Sequence, residues 1–223
     1  SCFDNILVHV DKNGHSLCGK EHCPLYRSMV TGENTAMPVL VFVKGKDGRR
    51  IPTQVSVAPI RNAAGEIVGG VEIFRDFTEI YKDLERARKI QRSSLAKPLS
   101  SDPRIKFTTH YVPLDLIGGD FYAIEKTGPD AYAFLLADVS GHGIAAALYT
   151  MHLKSMWEEN RDLLVSPCRF LESMNRQLHH LFQDNSTFAT GILGLVELDR
   201  EQVTLVSAGN PYPLFVHADG HYE

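Results

Sequence analysis

Gly118-Gly119-Asp120-Phe121-Tyr122 and, eighteen positions after its aspartate, Ala137-Asp138-Val139-Ser140-Gly141-His142-Gly143 decide how this chain is read. Between them the apolar run Tyr132–Ala137 has the length of a buried strand, closed by an aspartate and by glycines that permit a sharp turn. Such a run delivers a carboxylate to the rim of a sheet. Two carboxylates so placed suit a hard divalent ion. Mg²⁺ and Mn²⁺ take oxygen ligands and keep several waters, so one or two aspartates per ion suffice when a phosphate completes the shell. The chemistry implied is metal-assisted phosphoryl hydrolysis, with Asp120 and Asp138 as candidate catalytic and metal-binding residues. The blander explanation is that both are strand-end carboxylates that cap helices.

Further motifs extend the pattern. Gly118–Tyr122 and Ala137–Gly143 resemble the first two motifs of the SpoIIE/RsbU-type serine/threonine phosphatases, a bacterial branch of the metal-dependent PPM phosphatases. Ala87-Arg88-Lys89-Ile90-Gln91 with Leu95–Leu99 resembles the entry to that domain, and Phe188-Ala189-Thr190 its middle strand. Ser207-Ala208-Gly209-Asn210-Pro211 resembles its Ser-Ala-Gly-His-x-Pro turn, with Asn210 where the family usually has histidine. The resemblance implies a β-sandwich flanked by helices and two Mn²⁺ or Mg²⁺ ions. Asp120, Asp138 and the carbonyl of Val139 would be ligands, together with aspartates beyond Glu223. It also implies a phosphoserine/phosphothreonine protein phosphatase acting on a phosphorylated STAS-type anti-sigma antagonist in a partner-switching pathway. His142 could bind phosphate as a substrate residue, although a histidine at a helix start is more often a surface group. Thr190 and Asn210 are expected to shape the sheet edge, and Gly118 and Gly119 to allow a tight backbone path. Gly118–Phe121 superficially resembles the diguanylate cyclase signature, but that signature has two acidic residues after the glycines, where this chain has Asp120 followed by Phe121 and Tyr122.

The chain divides near residue 78. Before it, Val39–Lys44, Ile51–Ile60 and Ile67–Phe77 are β-rich runs joined by short glycine-containing turns, which predicts an antiparallel three-strand meander. With Gly48–Pro52, Ala58-Pro59-Ile60, Gly69–Glu72 and the exit Asp76-Phe77-Thr78, residues 1–78 resemble the C-terminal part of a PAS sensor domain. Residues 79–97 are expected to form a linker helix. Ile80, Leu84, Ala87, Gln91 and Ser94 recur at coiled-coil spacing, which fits either a dimer seam or an amphipathic helix packed on its own domain. The resemblance to PAS-linked phosphatases implies a homodimer signalling through this helix.

Residues 98–223 are expected to be the N-terminal part of the phosphatase domain, in the order strand, strand, strand, helix, helix, strand, strand, strand. Ile144, Leu148, Met151 and Ser155 mark one helix face, while Ser166-Pro167 is an N-cap with proline at the first helical position. Phe170, Met174, Leu178 and Leu181 give that second helix its buried face. Both domains are expected to be truncated, because the chain opens in mid-pattern at Ser1 and the remaining metal aspartates would follow Glu223. The fold class is thus α+β.

With 43% hydrophobic and 22% charged residues the composition is that of a globular protein. A net charge of −4 argues against nucleic-acid partners, and no apolar stretch approaches the roughly 20 residues of a membrane helix, which points to the cytoplasm. The four cysteines follow no disulfide framework. Cys2, His9, Cys18 and Cys23 lie close together in sequence and could hold Zn²⁺ or iron as a second metal or redox site, though cysteines also serve as small buried hydrophobes. A regulatory scaffold that binds a phosphoprotein without hydrolysing it is the alternative to an enzyme.

Overall fold

The computed structural model describes residues 8–19, 22–35, 38–95, 102–182, 187–211 and 213–222. The chain forms two compact units, Ser1–Asp83 and Leu84–Glu223. Both are built on antiparallel sheets with helices, a mixed α and β architecture.

The first unit contains a four-stranded sheet in the order β1 (His9–Val10), β2 (Val39–Lys44), β3 (Arg50–Arg61), β4 (Ile67–Asp76). The turns are built by their own side chains. Asp47 Oδ1 accepts from the Arg49 amide at 3.0 Å, and Asn62 Oδ1 accepts from the amides of Ala64 and Glu66 at 3.0 and 2.9 Å. These Asx contacts fix the registers of both hairpins. Helix α1 (Pro24–Thr31) starts at a proline and ends at Gly32 in the left-handed region, and it packs on β3 and β4. The sheet accommodates it at Gly70, where a Cβ would lie 2.7 Å from Leu25 Cδ1. The sequence pattern missed β1, a two-residue strand that pairs with β2 and carries the buried His9.

Helix α2 (Thr78–Ser94) begins where Asp76 Oδ1 accepts from the Thr78 amide at 2.8 Å. In the second unit the sheet order is β5 (Asp120–Gly128), β6 (Ala131–Val139), β7 (Ala189–Glu197), β8 (Gln202–Ala208), all antiparallel. Helices α3 (Ile144–Glu159) and α4 (Pro167–Leu181) pack on this sheet. Alternation decides which side faces them: Ala133, Leu135, Ala137 and Val139 are buried in the core, whereas Leu136 and Asp138 on the other face are exposed. The helices contribute Leu153, Trp157, Phe170 and Met174 to that core, with the Trp157 and Phe170 rings edge to face at 5.5 Å. Each fully buried side chain of this size contributes roughly 1.5–3 kcal/mol.

Several expectations for this unit differ from the structure. Among the described residues two strands, not three, precede the helices and two follow them. The segment before β5 makes one isolated bridge, Asp102 with Ile105, and sets Phe107 against the rings of Tyr132 and Phe134 instead of pairing as a strand. The strands therefore form one sheet among the described residues, and a second layer of a sandwich is not among them. The core face of α3 is Ala146, Thr150, Leu153 and Trp157, while Ile144 and Leu148 are exposed. This helix is apolar on nearly every side, so spacing alone did not choose its face, and small alanines allow the close approach. Ser166 does occupy the N-cap of α4, but its side chain makes no capping bond. Residues 96–99 of the entry motif lie outside the described residues.

Candidate metal and phosphate site

The β5–β6 hairpin has one rung that matters chemically. Asp120 at the first position of β5 stands directly opposite Asp138 near the end of β6, and Asp138 in turn stands opposite Thr190 of β7. Directly opposed residues share a face with Cβ atoms about 4.5–5.5 Å apart. The three side chains thus form a row on the sheet face away from α3 and α4. Crowding affects the carboxylates: partial desolvation first, and the charge of Asp138 second, push the Asp120 carboxyl above its ordinary range.

The backbone around the row explains the glycines. At Gly119 a Cβ would lie 2.8 Å from the carbonyl oxygen of Val139 and 3.2 Å from Ala146 Cβ, so only glycine lets the β5 entry pass this close to β6. The Val139 amide donates to Gly119 O at 3.1 Å, and its side chain is fully buried. After Val139, the Ser140 amide donates to Phe188 O at 2.8 Å and Ser140 Oγ accepts from the Phe188 amide at 3.0 Å, which ties the turn to β7. Gly141 and Gly143 both take positive φ, 94° and 79°, and turn the chain into α3.

Gly118 is held by a residue that sequence spacing had assigned to a helix seam. Gln91 of α2 is 5% exposed, and its amide grips the Gly118 backbone from both sides. Nε2 donates to Gly118 O at 2.7 Å, and Oε1 accepts from the Gly118 amide at 3.1 Å. Nε2 also donates to Thr150 Oγ1 at 3.0 Å, and that hydroxyl donates to Ala147 O at 2.7 Å. Gln91 and Leu95 are therefore inward-facing within the second unit, which is the amphipathic alternative for this end of the helix. The sequence signal was a glutamine, followed by Ser94, at the polar end of an apolar helix stripe.

His142 is exposed, with Nδ1 3.6 Å from the carboxylate of Asp115. On the other side of the row, Thr190 Oγ1 donates to Asn210 Oδ1 at 2.7 Å.

The donor set suits a hard cation. Two carboxylates share one rung, where partial desolvation and then the charge of Asp138 raise Asp120, and the Val139 carbonyl lies beside Gly119. Among the described residues no group of three or more His, Cys, Asp or Glu side chains could hold an ion, so the two aspartates are a partial shell of the kind that Mg²⁺ or Mn²⁺ completes with water. Among the described residues, His9, Cys18 and Cys23 do not fall in a group of three ligands for Zn²⁺ or iron. Cys2 lies outside the described residues, Cys18 Sγ lies 4.0 Å from the backbone oxygen of His9, and the His9 ring faces Glu72 with Nε2 3.8 Å from Oε1. Cys23 is buried, as a small hydrophobe would be.

Comparison with known proteins fits this geometry. Residues 128–223 match the family model described as Stage II sporulation protein E (SpoIIE). Among characterised proteins, the chain is 31% identical over 142 residues to the phosphoserine phosphatase RsbP of Bacillus subtilis (strain 168), covering 62% of this chain and 35% of RsbP. It is 27% identical over 132 residues to the phosphoserine phosphatase RsbU of the same strain, covering 59% of this chain and 39% of RsbU. The chain thus spans well under half the length of these relatives. Among solved structures it is similar to the SiaA-PP2C domain of Pseudomonas aeruginosa, with 25% identity, a TM-score of 0.49, and coverage of 58% of this chain and 54% of that one.

Proposed function

We propose that this chain is part of a Mn²⁺- or Mg²⁺-dependent protein phosphatase that removes phosphate from phosphoserine or phosphothreonine, acting in the cytoplasm on a phosphorylated STAS-type anti-sigma antagonist of a partner-switching pathway. The observation that carries the reading is the Asp120–Asp138 rung in a unit similar to two phosphoserine phosphatases. Asp120, Asp138 and the carbonyl of Val139 hold the ions. When bound, such ions supply Lewis acidity toward phosphoryl oxygens and toward water. The protein's part is to place the two carboxylates at fixed spacing on a rigid hairpin, with Gly119 admitting the close backbone approach. His142, in the exposed turn after Val139, faces the incoming phosphate as a substrate-binding group.

The first unit is read as a PAS-type sensor, supported by its antiparallel sheet and its exit through Asp76 into α2. Residues 1–78, 79–97 and 98–223 are then sensor, linker and phosphatase, with the linker helix also the dimer contact. In support of a regulatory linker, Gln91 holds the backbone two residues before Asp120. No helix among the described residues is long and apolar enough to cross a membrane. The test is hydrolysis of a phosphoserine peptide in Mn²⁺. Asp138→Asn should remove most of the activity; undiminished hydrolysis would show that Asp138 does not carry the reaction, and a wild-type protein that binds the phosphopeptide without hydrolysing it would leave the scaffold alternative in its place.

A further inference from the structure

The row Asp120, Asp138, Thr190 continues one residue further than the metal reading requires. Asn210 follows β8, and three local features fix it beside Thr190. Its Oδ1 accepts from Thr190 Oγ1 at 2.7 Å, its backbone oxygen accepts from Ser207 Oγ at 2.9 Å, and Gly209 before it, at φ 78°, bridges to Gly191 of β7. A Cβ at Gly209 would lie 3.2 Å from Thr190 Cγ2, so the glycine is what lets this turn close on β7. The Asn210 side chain is thereby held by its oxygen, and among the described residues its Nδ2 group has no hydrogen-bond partner. A half-buried amide whose acceptor is engaged by Thr190, the residue paired with Asp138, and whose two donors are unused presents donors at the end of a row that otherwise carries two carboxylates.

We propose that the Asn210 amide is a substrate-binding donor for the phosphoryl group, with Thr190 as the positioning residue that aims it. The inference rests on the phosphatase reading of the same site and adds a residue to it. An anion approaching Asp120 and Asp138 meets negative charge, and a fixed neutral donor at the end of the row offsets part of that repulsion without titrating. Histidine at the same position would supply a donor whose charge depends on pH near 6.5, whereas asparagine supplies one that does not.

The test is a titration of the full chain with inorganic phosphate in Mg²⁺, followed by the ¹⁵N resonances of side-chain amides, the Asn210 pair being assigned by its absence in Asn210→Ala. The Asn210 amide should shift on saturation. Because a hydrogen bond to a charged acceptor is worth roughly a 10- to 100-fold change in affinity, Asn210→Ala should weaken phosphate by about 10-fold or more, and Asn210→Asp by more than Asn210→Ala. Thr190→Val should weaken it in the same direction and by less. Asn210→His should restore binding below about pH 6.5 and lose it above, a pH limb the wild type lacks. An Asn210 amide that does not move with phosphate, or an Asn210→Ala affinity equal to wild type, overturns the proposal. Asp138→Asn separates the two failures. If it abolishes phosphopeptide hydrolysis while Asn210→Ala binds normally, only the role of Asn210 falls; if Asp138→Asn hydrolyses normally, the reading of this row as the phosphatase site falls with it.

Discussion

Replacing Gln91 by leucine keeps the bulk of the side chain and removes every polar contact it makes. In the wild-type chain the amide satisfies both the N–H and the C=O of Gly118 and donates to Thr150, all in a site that is 5% exposed at Gln91. Gly118 and Gly119 are themselves buried. Each buried backbone group left without a partner costs about 1–3 kcal/mol, so two such groups set an expected destabilisation of about 2–6 kcal/mol, with the lower end reached if Gly118 relaxes toward water. For a unit of this size that lowers the melting temperature by roughly 5–15 °C. Relaxation of Gly118 has a functional consequence, because the next residue but one is Asp120, whose place opposite Asp138 depends on the same segment. Thermal denaturation of wild type and Gln91→Leu, followed by near-ultraviolet circular dichroism of Trp157, measures the first effect, and Mn²⁺ affinity by calorimetry measures the second. Melting temperature and Mn²⁺ affinity both unchanged by the substitution would show that Gln91 neither anchors Gly118 nor positions Asp120.

Three other substitutions probe the same unit. Asp120 has its folded-state carboxyl raised, so the sign runs opposite to a salt-bridged acid: its contribution to stability is fully present below its ordinary value of 3.8 and is lost as pH rises through the raised one. Asp120→Asn should therefore raise the metal-free stability at neutral pH, flatten its acid limb and weaken Mn²⁺ binding, as read by denaturant melts at a series of pH values and by calorimetry. Gly119→Ala places a methyl 2.8 Å from the Val139 oxygen, a backbone atom that no rotamer change can move, and should cost about 1–3 kcal/mol in urea unfolding. Ala87→Pro breaks α2 at about 3 kcal/mol and should disconnect the first unit from phosphatase output, measured in the full-length protein as hydrolysis that no longer differs from that of a form lacking residues 1–83; a retained difference would make the helix a tether only.

Much of the architecture was legible because it is written locally. The hairpins of the first unit carry Asp47-Gly48 and Asn62 to Gly65 at their turns, and those side chains do make the turn bonds. The run Tyr132–Ala137 alternates inside β6, and the Asp138 that closes it stands opposite Asp120. What escaped depends on tertiary context. The two-residue β1 has no pattern of its own and exists only by pairing with β2. Spacing placed Gln91 on a seam but could not tell an inward polar residue from an intermolecular one, since both occupy the same helix stripe. The face of α3 was misassigned because alanines, threonine and large apolar residues surround the helix, and only its packing on the sheet turns Ala146, Thr150, Leu153 and Trp157 inward. Asn210 was expected to shape the sheet edge, and only its contact with Thr190, itself opposite Asp138, relates it to the carboxylates.

The central claim is that Asp120 and Asp138 together hold the ion on which phosphoester hydrolysis depends. Hydrolysis of a phosphoserine peptide by the full-length protein in Mn²⁺, compared between wild type and Asp138→Asn, tests it most directly. The account predicts a loss of at least about 100-fold in kcat/KM together with weakened Mn²⁺ binding, since the substitution makes neutral one of the two carboxylates that the Asp120–Asp138 rung supplies. Undiminished hydrolysis at unchanged Mn²⁺ affinity would contradict it.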